Sequence, residues 1–95
     1  MSLNKRLMSS APPPFVASEN FSIVTYTGNG GTQAITGVGF KPDWIWCKTR
    51  STSSDHNITD STRGTQKGLN PNTNAAEGNQ APNGVTVFGT DGFTV

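Results

Sequence analysis

The sequence predicts an all-β fold: a small antiparallel, sandwich-like domain over residues 21–95, preceded by an extended Pro-rich arm over residues 1–20. Three observations predict it. Thr, Ser, Asn and Gly supply 42 of the 95 residues, and Ser and Asn compete with helical hydrogen bonds while Gly is costly inside a helix. Two segments, Phe21–Thr27 and Trp44–Thr49, carry β-branched and aromatic residues in period-2 alternation. An Asn29-Gly30 pair and an Asp91-Gly92 pair stand beside alternating runs, where tight hairpins are made.

The arm comes first. MSLNKRLMSSAPPPFVASEN joins Lys5 and Arg6 to spaced Leu3, Leu7 and Met8, then to Pro12-Pro13-Pro14 and Phe15. Proline fixes φ and removes the amide donor, so this stretch cannot be a central strand. A polyproline stretch is extended before it docks, loses little entropy on binding, and fits a groove on a partner. Leu3, Lys5, Arg6, Leu7, Met8, Pro12, Pro13, Pro14 and Phe15 are therefore the candidate partner-binding residues, against the plainer reading of a disordered terminus.

From Phe21 the alternation places Phe21, Ile23 and Thr25 on one face and Ser22, Val24 and Tyr26 on the other. Gly28-Asn29-Gly30-Gly31 then predicts a turn, with Thr32–Thr36 returning antiparallel to residues 21–27. A phosphate-cradling loop is excluded, since no Lys-Ser or Lys-Thr follows and no helix opens there. Gly37–Asp43 reads as a turn into the Trp44–Thr49 strand, with Pro42 holding Lys41 extended. In that strand Trp44, Trp46 and Lys48 share one face, and Ile45, Cys47 and Thr49 the other; both faces are expected to be partly covered. Residues 50–84 are expected to be mostly loop, with one short strand near His56–Thr59. Val85–Val95 predicts a hairpin around Asp91-Gly92, whose second arm has three residues after the turn. That arm predicts the front part of a larger sandwich.

Composition narrows the function. Leu, Ile, Val and Phe number 18 of 95 and the net charge is only +1, so the chain can collapse but has few groups to offset roughly 1–2 kcal/mol of backbone entropy per ordered residue. Help from neighbouring chains, as in a homo-oligomer, is expected. Seven basic residues scattered among six acidic ones do not make the clustered cationic surface that nucleic acid requires. The longest apolar run is far below the roughly 20 residues that cross a bilayer, so membrane insertion is not expected. Cys47 is the sole cysteine, which excludes an internal disulfide. Without a secretory h-region, assembly in a reducing cytoplasm is expected.

The densest cluster of functional side chains is Asp55–Gly64, with His56, Asp60, Ser61 and Arg63. A hydrolytic triad needs nucleophile, base and orienting acid to converge, and a zinc site needs three or four ligands; one His and one Cys do not supply them. No enzyme activity, metal or cofactor is expected. The alternative is a brace: Asp60 and Ser61 tie a long loop, Arg63 donates to a carboxylate or carbonyls, and Gly64 takes a positive φ. Trp44 and Trp46 are expected in a core or interface, or else as a sugar-stacking platform with His56, Asp60 and Arg63. Cys47 reads as a small buried hydrophobe rather than a nucleophile. The sequons Asn20-Phe21-Ser22 and Asn57-Ile58-Thr59 are expected by chance in so Asn- and Thr-rich a chain.

A set of ordered landmarks runs through Tyr26–Gly30, Ile35–Phe40, Pro42-Asp43, Trp44–Arg50 and His56. It continues through Asp60-Ser61, Arg63-Gly64, Lys67, Leu69, Asn72-Thr73, Ala76-Glu77 and Gly92-Phe93-Thr94. In these the chain from Phe21 to Val95 resembles a domain of tailed-phage tail-fibre and virion structural proteins. It departs at Thr62, where a hydrophobic residue is usual, and at Phe93-Thr94-Val95, where relatives continue into further strands. The resemblance implies a β-rich sandwich that assembles into a particle, an N-terminal stretch that joins a fibre to the tail, and no catalytic residue. The expected function is a structural component of a tailed-phage virion, a tail-fibre or tail-associated protein anchored through its arm and assembled in the host cytoplasm. Its expected partners are other virion proteins, tail or portal-proximal components and copies of itself. The alternatives are a capsid decoration or accessory protein, and a carbohydrate-binding module that adheres to host surface glycans.

Overall fold

A computed structural model of the chain describes residues 14–81 and 83–95. Of the arm, Leu3, Lys5, Arg6, Leu7, Met8, Pro12 and Pro13 lie outside the described residues, while Pro14 and Phe15 are within them and exposed. Residues 17–19 form one 3-10 turn, Ala17–Glu19, in place of an extended chain; Asn20 Nδ2 closes it by donating to the Val16 carbonyl at 2.8 Å.

The remainder is all-β and antiparallel, as expected. Seven short strands follow: β1 Ala34–Ile35, β2 Trp44–Cys47, β3 Asn57–Asp60, β4 Lys67–Gly68, β5 Gly78–Asn79, β6 Val87–Phe88 and β7 Phe93–Thr94. β1, β7 and β6 form one sheet in that order, β2 pairs with β3, and β4 with β5. A bridge between Ile58 and Leu69, with hydrogen bonds of 2.8 and 3.0 Å in the two directions, links the second pair to the third. Two layers result. Ile35 and Phe93 from one and Ile45 from the other meet with Val85 in a single core, flanked by the half-buried Val24, Cys47, Phe88 and Val95. Thr59, fully buried opposite Ile45, keeps its hydroxyl satisfied by donating to Asn57 Oδ1 at 3.0 Å.

Residues 21–27 are not a strand, and the Gly28–Gly31 turn closes no hairpin. The turn is satisfied locally, Asn29 Oδ1 accepting from the Gly31 amide at 2.9 Å, as an Asx turn does. The returning segment finds a different partner: Ala34 and Ile35 pair with Thr94 and Phe93, and Gln33 exchanges main-chain bonds of 2.8 and 2.9 Å with Val95. The alternation of residues 21–27 nevertheless survives in the side chains. Val24 packs on the core and Tyr26 meets Phe93 edge to face at 6.4 Å, while Phe21 and Ile23 point to solvent.

The terminal hairpin forms as expected, with its tip one residue earlier: Thr90 and Asp91 occupy it, and the Gly89 amide donates to the Gly92 carbonyl at 2.7 Å. Phe93-Thr94 is central in its sheet, paired on both sides. Gly92 is needed for space, since a Cβ there would collide with the Ile35 carbonyl of β1. In residues 50–84 the structure adds β4 and β5, which carry glycine and no apolar alternation to announce them.

Candidate functional site

β2 and β3 sort the candidate residues by face. Their register pairs Trp44 with Asp60, Ile45 with Thr59, Trp46 with Ile58 and Cys47 with Asn57. Ile45 and Thr59 turn inward. Trp44, Trp46, Asp60 and the adjoining His56 therefore lie together on the outer face. The expectation that the tryptophans fill a core is corrected here: Trp44 is 52% exposed and Trp46 51%, so each indole is only half covered within the chain. The smaller Ile45 takes the inward position that strand alternation offers, and among the described residues no second layer lies over the indoles.

The two indoles stand at 89° with centroids 5.9 Å apart, an edge-to-face pair. Trp46 Nε1 donates to His56 Nδ1 at 3.1 Å, and their rings lie 5.7 Å apart. That bond places the histidine proton on Nε2. His56 is thus oriented by an indole rather than by a carboxylate.

The Asp60–Gly64 stretch is the expected brace. Ser61 Oγ donates to Asp43 Oδ1 at 3.0 Å, and the Ser61 amide to the Asp43 carbonyl at 2.8 Å. Asp60 Oδ1 accepts from the Arg63 amide at 2.8 Å, and Gly64 takes φ +98. The Arg63 guanidinium lies 3.4 Å from Asp60 and 3.6 Å from Glu77. Exposed pairs of this kind contribute about 0–1 kcal/mol, so the brace shapes the loop more than it stabilises the fold. Asp60 and Arg63 are joined to the tryptophan face, with their charges engaged on each other.

On the opposite side of β2 a cleft of about 580 Å³ is lined by Tyr26, Cys47, Val85 and Val95 together with a row of polar side chains. Asp55, Asn57, Asn70, Asn79, Gln80 and Asn83 form that row. Sequence reading missed Asn70, Asn79, Gln80 and Asn83, because amide residues in a Gly- and Thr-rich stretch read as turn formers. Burial pushes the Cys47 thiol up, against a smaller downward pull from its hydrogen bond with Tyr26. The thiol thus stays protonated at neutral pH, as expected of a small half-buried hydrophobe. Tyr26 is pushed up first by burial and then by Cys47.

A separate clamp closes one end of the first sheet, where the segment after β1 meets the β6–β7 turn. Asp91 Oδ1 accepts from the Gly39 amide at 2.7 Å and Oδ2 from the Gly37 amide at 3.0 Å, while the Asp91 carbonyl accepts from Val38 at 3.1 Å. The Gly39 and Gly37 amides hold this carboxyl below its ordinary value.

Among the described residues there is no group of three or more His, Cys, Asp or Glu able to hold a metal ion, and no helix long and apolar enough to cross a membrane. Residues 16–95 match the family described as Domain of unknown function (DUF7483), and the chain belongs to that family. No curated protein and no solved structure matches it.

Proposed function

We propose that this chain is a non-enzymatic structural component of a tailed-phage virion, a tail-fibre or tail-associated protein anchored through its N-terminal arm. One observation carries the reading: the segment leading out of the arm exposes apolar side chains and pairs with no strand among the described residues. Phe15 is 78% exposed, Phe21 65% and Ile23 81%. Among the described residues, the main chain of residues 22–26 makes no hydrogen bond to any strand. An extended segment with unpaired amides and apolar side chains is a template for strand addition by another copy or a neighbouring protein. The landmark resemblance noted from the sequence supports a phage particle as the setting, and a homo-oligomer as the form. The same surface serves a capsid decoration or accessory protein, in which the arm lies along a neighbouring subunit.

The test is deletion of residues 1–20 followed by measurement of the protein's occupancy in purified particles. Loss of occupancy is expected, and unchanged occupancy overturns the attachment role. Imaging of particles that carry the protein separates tail from capsid.

The exposure of Trp44 and Trp46 favours a second reading, a carbohydrate-binding module for host adhesion. Because the indoles stand edge to face, one ring face rather than a flat pair is offered to a sugar. Indole fluorescence that responds to host surface glycans supports this reading, and an unchanged spectrum removes it.

A further inference from the structure

The cleft on the inner side of β2 lies across the strand from both tryptophans and has no part in the assembly reading. Its polar wall is pre-set. Asn57 Oδ1 accepts from Thr59 Oγ1 at 3.0 Å, Asn70 Nδ2 donates to the His56 carbonyl at 2.7 Å, and Asn79 Oδ1 accepts from the Ala81 amide at 3.0 Å. Asp55 Oδ1 accepts from Asn72 Nδ2 at 2.9 Å. Each side chain is held at one end by the protein, and three keep the other end for a ligand: an amide donor from Asn79 and acceptors from Asn70 and Asp55. The Asn57 amide group is enclosed beside Gly68 and has no partner among the described residues, so Asn57 backs the wall rather than facing a ligand.

Two glycines make room for this wall. A Cβ on Gly68 would run into the amides of Gln80 and Asn57, and one on Gly84 would meet Gln80 Oε1 at 2.8 Å. The Gln80 carboxamide therefore sits in a slot left by missing side chains. Neither Gln80 nor Asn83 spends its carboxamide on a hydrogen bond among the described residues.

We propose that this cleft binds a neutral saccharide. Carboxamides and a carboxylate that offer fixed donors and acceptors match vicinal hydroxyls, each of which donates and accepts at once. Among the described residues the one charged side chain in the lining is Asp55, which disfavours phosphates and other anions. The size, about 580 Å³, falls within the roughly 300–1,000 Å³ of small-molecule sites.

The test is an NMR titration of the whole chain, labelled with nitrogen-15, with maltose, cellobiose and N,N′-diacetylchitobiose, reading the side-chain amide signals. Saturable shifts at Asn70, Asn79 and Gln80 with at least one sugar are expected, with glycerol at matched hydroxyl concentration producing none. Gln80→Ala and Asn83→Ala remove side chains that make no hydrogen bond among the described residues, and each is expected to weaken binding roughly two- to tenfold with the backbone spectrum retained. Trp44→Ala should leave the affinity unchanged. Shifts confined to the indole signals would place sugar on the outer face and overturn the proposal. So would no saturable shift with any of the three sugars, or an equal response to glycerol or to a neutral tripeptide. None of these outcomes bears on particle occupancy, so the two proposals fail separately.

Discussion

Residues 21–27 and residues 87–94 carry equally strong strand patterns, yet only the second forms a ladder. Val87-Phe88 and Phe93-Thr94 pair with each other, and Phe93-Thr94 pairs again with Ala34-Ile35. Phe21–Thr27 turns Val24 and Tyr26 toward the core but, among the described residues, bonds to no strand. Alternation decides which side chains face inward; a ladder also requires a partner at the right distance, and β1 pairs with β7 instead. The difference separates a region that supports the fold from one that is free to meet another molecule.

The comparison can be broken first in the core. Ile45→Ala should destabilise by about 2–5 kcal/mol, seen as a lowered denaturation midpoint by circular dichroism. A loss no larger than that of Ile23→Ser would mean the two regions do not differ. Gly92→Ala should cost roughly 1–3 kcal/mol, because the obstruction is the Ile35 carbonyl and backbone cannot swing aside as a side chain can. If the alanine variant kept its midpoint, the close approach of β7 to β1 would be wrong.

Asp91→Asn probes the clamp and is a smaller effect with a defined pH dependence. The carboxyl is held low in the folded chain, so its stabilisation is present above the unfolded value of roughly 3.9 and is lost as pH falls through the lower folded value. The wild type should therefore lose stability below about pH 4 more steeply than the variant, in urea midpoints taken across that range. Parallel profiles would remove the clamp from the acid response.

The smallest change in stability belongs to Ile23→Ser, within roughly 0.5 kcal/mol, because the side chain is 81% exposed. Its effect should appear in self-association instead, as a shift toward lighter species in sedimentation. A variant that sediments like the wild type would deny the segment its contact role.

Much of the candidate site on β2 was legible. Period-2 alternation put Trp44 and Trp46 on one face, and the Asp60–Gly64 brace followed from residue types alone. Which face was solvent could not be read, since two indoles look like core until a neighbouring Ile45 is seen to take the interior. The amide cleft was illegible for a different reason. Asn70, Asn79, Gln80 and Asn83 come from a stretch without periodicity, and they converge only because β4 and β5 fold it back.

By itself the sequence determined the all-β class, the β2 strand, the terminal hairpin and the braced loop, because these rest on local propensity, alternation and turn chemistry between near neighbours. Only the tertiary structure decided the partner of β1, the exposure of the tryptophans, the room that Gly68, Gly84 and Gly92 provide, and the cleft. Each of those depends on contacts between residues far apart in the chain, where pairing is won by competition and no local pattern records the winner.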